Sequence, residues 1–127
     1  MRLASLAVLA AVMSPAAAHA QSMNAELFYK RAMALKAKGP IAALVSRDLK
    51  PLVAEARAAG LKARANRVAA SAKGLKPRYC PPNGSKRLGH DEFLDGMGRI
   101  PSVERVKIDM LEAMNRVMAM KFPCRHS

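Results

Sequence analysis

The spacing of the apolar residues constrains the fold of this chain more than any other feature. After residue 20 the apolar residues recur at intervals of three and four rather than two, and Ala, Leu, Met, Lys and Arg dominate the sequence. Those residue types favour helices, and the interval is that of one helix face. We therefore expect an all-α protein, a small bundle of about five to six helices.

Gly39 and Pro40 separate the first two predicted helices. The first runs from about Asn24 to Lys38 and ends at Gly39, because glycine readily adopts the conformation that closes a helix. Its inner face is expected to hold four apolar residues, Leu27, Phe28, Ala32 and Leu35. The second helix is short and opens at Pro40. Its buried side is expected to consist of three aliphatic residues, Ile41, Leu44 and Val45.

The next two predicted helices meet at Gly60. Asp48 is a candidate N-cap for a helix from Leu49 to Ala59 that Gly60 closes. A fourth helix is expected from Leu61 to Lys73. Its apolar side is predicted to comprise Leu61, Ala65, Val68 and Ala72.

A loop rich in glycine and proline, from Gly74 to Gly89, precedes the last two predicted helices. Helicity is expected to resume near His90 and to stop at Pro101, after which Ser102 caps a final helix. The apolar residues of the helix after His90 are Phe93, Leu94, Met97 and Ile100. Those of the final helix are Val103, Val106, Met110, Met114, Val117 and Met118.

The first twenty residues have the layout of a secretory signal peptide. Arg2 gives a positive start, Leu3 to Met13 is an apolar run apart from Ser5, and Ala18-His19-Ala20 is a small-x-small cleavage site. The predicted organisation is a signal peptide at 1–20 and one helical domain at 21–127. No later segment approaches the roughly 20 apolar residues of a membrane span. The mature protein is therefore expected to be periplasmic, without a transmembrane segment.

Cys80 and Cys124 are the two cysteines of the chain. An exported compartment favours their oxidation, so a single disulfide is predicted between them. Metal binding is the weaker alternative, because His90 and His126 do not fall at a recognisable ligand spacing. No metal and no other cofactor is expected.

The chain carries a net charge of +13, and the excess is concentrated in its middle. Nine basic residues and no carboxylate lie between Arg57 and Arg87. Such a surface attracts anionic partners, although a solvated basic face that only aids solubility is an equally simple explanation. Nucleic acid is not expected, because the protein is exported and has few aromatic residues for base stacking. The candidate partner-binding residues are Arg57, Lys62, Arg64, Arg67 and Lys73.

No catalytic constellation is recognisable, and the protein is not expected to be an enzyme. The one cluster of titratable residues comprises His90, Asp91, Glu92 and Asp95. It opens a predicted helix, where acidic residues are favoured by the unpaired N–H groups and by the helix dipole.

Three motifs in the second half form a recognisable series: Tyr79-Cys80-Pro81-Pro82, Ile100-Pro101 at the end of an amphipathic helix, and Phe122-Pro123-Cys124 after a long one. The series resembles the C-terminal half of the Rap/Tai immunity proteins of type VI secretion systems. The resemblance covers residues 79–124 and does not extend to the basic segment 24–73. It implies an exported, all-helical, disulfide-bonded protein that binds a peptidoglycan-cleaving amidase toxin and blocks its active site.

Two functional hypotheses follow. In the first, the basic helix and the loop around Cys80 dock on an acidic groove of an amidase toxin. In the second, the protein is a cationic envelope-associated structural protein that binds anionic lipid or cell-wall polymer. A stress chaperone that exposes its methionine-rich helix is a third and weaker hypothesis, and a homodimer is left open.

Overall fold

The computed structural model describes residues 22–85 and 87–125. Over these residues the chain forms six helices and no strand. The helices are α1 (Ala25–Ala37), α2 (Pro40–Leu44), α3 (Leu49–Ala72), α4 (His90–Arg99), α5 (Ser102–Arg105) and α6 (Met110–Lys121). The predicted all-α bundle with one disulfide is confirmed. The predicted signal peptide lies outside the described residues.

Helices α1 and α6 begin side by side, because the segments that precede them are hydrogen-bonded to each other. The Asn24 side chain accepts two backbone N–H groups in the first turn of α1, and its amide donates to the Val106 carbonyl at 2.9 Å. Asp109 caps α6 by accepting the backbone N–H of Glu112 at 2.9 Å. Each cap satisfies N–H groups that a helix start leaves unpaired. The starts of α1 and α6 are joined by the contact of Asn24 with the segment before α6.

The predicted break at Gly60 is wrong, since α3 is one continuous helix. Gly60 lies against α6, with its Cβ position 3.9 Å from the Met114 Cε atom. Glycine in a helix interior costs about 1 kcal/mol relative to alanine, which packing against α6 can offset. The helix ends instead at Ala72, two residues before Gly74, where φ is +71° and after which the Leu75 N–H donates to the Ala70 carbonyl.

This continuity also changes which side of the helix faces the core. Leu52, Ala59 and Ala63 are the buried residues of α3. The apolar residues predicted to be buried in the fourth helix are exposed, namely Leu61, Ala65, Val68 and Ala72. Asp48 does precede α3, but its side chain makes no capping hydrogen bond.

Three further predictions of burial are wrong. Ile41, Leu44 and Val45 of the α2 region are exposed, and only Ala43 packs partly against the core. The predicted final helix is in fact two helices, α5 and α6, so that Val103 and Val106 face solvent. In α1, Leu27 is exposed while Phe28 and Leu35 are buried as predicted.

The core lies between α1, α4 and α6, with α3 packed along α6. The rings of Phe28 and Phe93 meet edge to face, with centroids 5.9 Å apart. Methionines contribute much of this core, because Met97 of α4 and Met110 of α6 are fully buried and Met114 is nearly so.

Arg105 holds α5 against the rest of the bundle. Its buried guanidinium pairs with Glu26, lies 4.1 Å from the centroid of the Tyr29 ring, and donates to the carbonyls of Met97 and Ile100 at the end of α4. A buried arginine needs all of these partners to offset its desolvation. The side chain therefore ties α5 to both α1 and α4.

Candidate functional site

Helix α3 is long in relation to the part of it that is buried. Its 24 residues span about 36 Å at 1.5 Å per residue. Three of them, Leu52, Ala59 and Ala63, are buried, and they lie on one narrow side. Most of the circumference of α3 therefore faces solvent.

Two of the predicted partner-binding residues form a row on this exposed surface. Arg57 and Arg64 are both exposed and lie seven residues apart. Seven residues are close to two helical turns, so the side chains lie on one line about 10 Å apart. Lys62 is exposed on the opposite flank of the helix, because it follows Arg57 by five residues at 100° each.

An apolar strip separates the two flanks. Leu61 is 63% exposed and Val68 is 51% exposed, with Ala65 between them. We call this strip together with Arg57, Lys62 and Arg64 the α3 face. It combines exposed aliphatic surface with positive charge on both sides.

The cations of the α3 face are not neutralised from within the bundle. Among the described residues, no carboxylate lies within 4 Å of Arg57, Lys62 or Arg64. Glu55 is the one acidic residue of α3, and its carboxylate accepts the backbone N–H of Met23 at 2.6 Å on the bundle side. The positive potential of the face is therefore directed outward.

Arg67 and Lys73 differ from the other three candidates. Arg67 is half-buried, with its guanidinium carbon 5.5 Å from the centroid of the Tyr79 ring. Its Nε is buried and has no hydrogen-bond partner within the described residues. Arg67 therefore packs α3 against the following loop and lies off the α3 face. Lys73 is exposed at the C-cap, where a cation complements the helix dipole.

The loop that follows α3 is fastened to α6 and to the segment after α6. Cys80 is bonded to Cys124, and its N–H donates to the Phe122 carbonyl at 2.8 Å. Arg78 donates to both carboxylate oxygens of Glu112, at 2.9 and 2.8 Å. These hydrogen bonds, with the nearby charge of Arg116, hold the pKa of Glu112 below its ordinary value. The predicted disulfide is thus confirmed, and it fixes the loop.

The acidic cluster at the start of α4 has a structural role. Glu92 accepts the Gly89 N–H at 3.4 Å and the Lys121 ammonium at 2.8 Å. The lysine, followed by the backbone hydrogen bond, lowers the pKa of Glu92. Within residues 22–85 and 87–125, no three His, Cys, Asp or Glu side chains are grouped so that they could hold a metal ion.

Two open grooves flank Lys121, with volumes of about 300 and 660 Å³. The larger is lined by the disulfide region, including Pro82, Phe122 and Arg125. The smaller lies between α4 and α6 and contains the Glu92–Lys121 ion pair. Neither groove brings a nucleophile next to a base among the residues described, so the α3 face is the stronger candidate for function.

In the part of the chain that the structure describes, no helix is both long and apolar enough to cross a bilayer. Comparison of the chain with protein-family models, with curated proteins and with solved structures found no significant match.

Proposed function

We propose that the protein is an exported binding protein of the immunity type, which blocks an acidic groove of a peptidoglycan amidase with its α3 face. The observation that carries the proposal is the absence of any acidic residue from 56 to 90, together with exposed cations on both sides of Leu61 that have no carboxylate partner among the described residues. The protein would act by covering the active site of its partner rather than by chemistry of its own.

The composition of the α3 face suits a protein partner. Exposed aliphatic side chains such as Leu61 and Val68 supply the apolar centre of an interface. The arginines on the rim speed encounter with an acidic surface and disfavour a basic one. Arginine is also enriched among the residues that contribute most to binding. A single exposed helix face is a common way for one protein to occupy the groove of another.

The immunity class is supported by the resemblance of residues 79–124 to the Rap/Tai proteins. In this chain the Cys-Pro and Phe-Pro-Cys motifs lie together, because the Cys80–Cys124 disulfide joins them. Arg67 on Tyr79 connects that end of the molecule to α3. Two of the three motifs that carry the resemblance therefore lie at the end of the molecule that contacts α3.

Titration calorimetry and an amidase assay with a purified peptidoglycan amidase that has an acidic active-site rim test this function. The wild-type protein is expected to form a 1:1 complex and to inhibit cleavage. Arg57→Glu/Arg64→Glu should weaken binding at least tenfold, because attraction becomes like-charge repulsion. The matched control is Arg31→Glu/Lys107→Glu, which changes the net charge equally at two exposed residues outside the α3 face.

The control variant distinguishes direct contact by the α3 face from electrostatic attraction by the net charge of the protein. If both double variants lose affinity equally, the protein acts only through its net charge, as expected for adhesion to an anionic envelope polymer. That alternative also predicts that high salt abolishes all binding. Either result, or failure to form a complex with such an amidase, contradicts the proposed function.

A further inference from the structure

Helix α2 presents its apolar side to solvent. It follows Gly39, whose φ of +88° turns the chain sharply out of α1, and it begins at Pro40. Exposure reaches 81% for Ile41, 72% for Leu44 and 81% for Val45. The spacing i, i+3, i+4 places these three side chains on one side of the helix.

The opposite side of α2 makes the contact with the bundle. Ala43 is half-buried and packs against the core. An amphipathic helix normally buries its larger apolar side chains, yet here the smallest faces inward. Within the described residues nothing covers the three aliphatic side chains, so they form an apolar tip on the surface. We call Ile41, Leu44 and Val45 the α2 tip.

Basic residues lie on both sides of the α2 tip in the sequence. Four basic residues, all exposed, flank it in the sequence: Lys36, Lys38, Arg47 and Lys50. Asp48 is the one acidic residue between 36 and 50. Lys36 lies 3.1 Å from Asp91, but both side chains are largely solvated and the contact is weak. The tip is thus an exposed aliphatic segment between two exposed basic segments of the chain.

This arrangement fits an anionic lipid bilayer. Aliphatic side chains gain by leaving water for the acyl boundary, and lysine and arginine can extend their charged ends to the headgroups. Each basic residue near an anionic surface adds to the attraction. We propose that the α2 tip is a membrane-docking site that inserts shallowly into a bilayer containing anionic lipid.

Other occupants fit the α2 tip less well. Its three aliphatic side chains belong to a five-residue helix and its C-cap, far fewer than the roughly 20 to 30 residues that a stable protein interface uses on each side. A polyanionic cell-wall polymer would satisfy the cations but offers no apolar phase for Ile41 or Val45. A bilayer satisfies both.

The α2 tip is separate from the α3 face and does not depend on the function proposed for that face. Leu49 is the first residue of α3, just after the α2 tip in the sequence. Leu61 of the α3 face lies twelve residues further on, which is about 18 Å along the helix. A protein docked on a membrane through α2 would therefore have a second site for a protein partner.

A tryptophan reporter tests the proposal directly, because the chain has no tryptophan of its own. Leu44→Trp is measured in the exported protein, with its N-terminus determined by mass spectrometry, on vesicles of phosphatidylcholine and phosphatidylglycerol. We expect the emission to shift to shorter wavelength and to be quenched by brominated acyl chains. On pure phosphatidylcholine the binding should be at least tenfold weaker, because the basic residues lose their anionic partners.

Val103→Trp is the matched control, since Val103 is 67% exposed on α5, close to the 72% of Leu44. Its emission should not change on the same vesicles. In a sedimentation assay, Ile41→Ser/Val45→Ser should lower partitioning at least tenfold while the circular dichroism spectrum stays helical. Arg57→Glu/Arg64→Glu should leave the Leu44→Trp shift in place.

Three results would overturn the proposal. One is the absence of vesicle binding by the wild-type protein at low salt. Another is equal spectral shifts from the two tryptophan reporters, or unchanged partitioning of Ile41→Ser/Val45→Ser. The third is loss of the Leu44→Trp shift in the Arg57→Glu/Arg64→Glu background, which would assign the membrane contact to the α3 face.

Discussion

Helices α3 and α6 pack along each other but use their surfaces in opposite ways. α6 has twelve residues, of which five are buried. α3 has twenty-four residues, of which three are buried. The difference indicates a division of roles, in which α6 belongs to the core and α3 exposes residues to the surroundings.

The same division separates the charges of the two regions. Near α6 the arginines are paired, as Arg116 is with Glu104 and Glu112 at 2.7 and 3.1 Å. On α3, Arg57 and Arg64 have no carboxylate partner within the described residues. Paired charges contribute to folding, whereas unpaired exposed charges are available to a partner. Substitutions in the two regions should therefore differ in what they damage.

The largest expected effect comes from the buried Arg105. Arg105→Ala should lower the free energy of unfolding by about 3 to 5 kcal/mol, because it leaves Glu26 buried without its partner. Arg64→Ala on α3 should change it by less than about 0.5 kcal/mol, because that side chain is exposed. Urea unfolding followed by circular dichroism measures both values.

A double variant identifies the cause. Glu26→Gln/Arg105→Met removes the buried charge at both positions, so it should be less destabilising than Arg105→Ala alone. If Arg105→Ala lowers the free energy of unfolding no more than Arg64→Ala does, the proposed difference between the buried and the exposed arginines is wrong.

Removal of the disulfide has the next largest expected effect. Cys80→Ser/Cys124→Ser should lower the free energy of unfolding by about 2 to 4 kcal/mol, since the bond closes a loop with a sequence separation of 44. The loss should be the same when the wild-type protein is reduced, as thermal unfolding with and without dithiothreitol will show. An unchanged Tm would mean that Arg78 and the Cys80 backbone suffice to hold the loop.

The fold class could be predicted from the sequence, and so could most helix limits, because the apolar interval and the Gly and Pro residues are local signals. The disulfide was also predictable, because Cys80 and Cys124 are the only cysteines. The orientation of α3 could not be predicted, because apolar residues lie on both of its sides and Gly60 does not interrupt the helix. Arg105 pairs with a residue 79 positions away, and no local pattern reveals such a partner.

The candidate site was predictable to a similar extent. The charge count located the basic segment, and Arg57, Lys62 and Arg64 are indeed exposed. Arg67 could not be separated from them by counting, because its position depends on the contact with Tyr79 in the following loop. The exposure of the α2 tip was contrary to expectation, since a sequence pattern shows that a helix has an apolar side but not what that side contacts.

A smaller effect is expected from the ion pair between Arg78 and Glu112. Arg78 holds the pKa of Glu112 in the folded protein below its ordinary value. The ion pair therefore stabilises the fold fully at pH values above the unfolded-state pKa of about 4.3. This stabilisation is lost as the pH falls through the lowered pKa of the folded protein. Glu112→Gln should therefore cost up to about 1 kcal/mol at pH 7 and less at pH 3. Urea unfolding of both proteins at the two pH values measures the difference, and a cost that grows toward acid would contradict it.

The smallest expected effect is the most direct test of the comparison. Leu61→Ser/Val68→Ser should change the free energy of unfolding by less than about 0.5 kcal/mol, because both side chains already contact water in the folded state. Val117→Ser in α6 should cost about 2 kcal/mol or more, because a hydroxyl would replace methyl groups in the core.

The dependence of Tm on protein concentration extends this test to the oligomeric state. If the α3 face is free, the Tm of the wild-type protein should not change with protein concentration, and the Leu61→Ser/Val68→Ser variant should behave identically. If instead two copies bury this face against each other, the wild-type Tm will rise with concentration and the variant will lose that rise. The exposed side of α3 would then be the interface of a homodimer, and the contrast with α6 would hold only for the isolated chain.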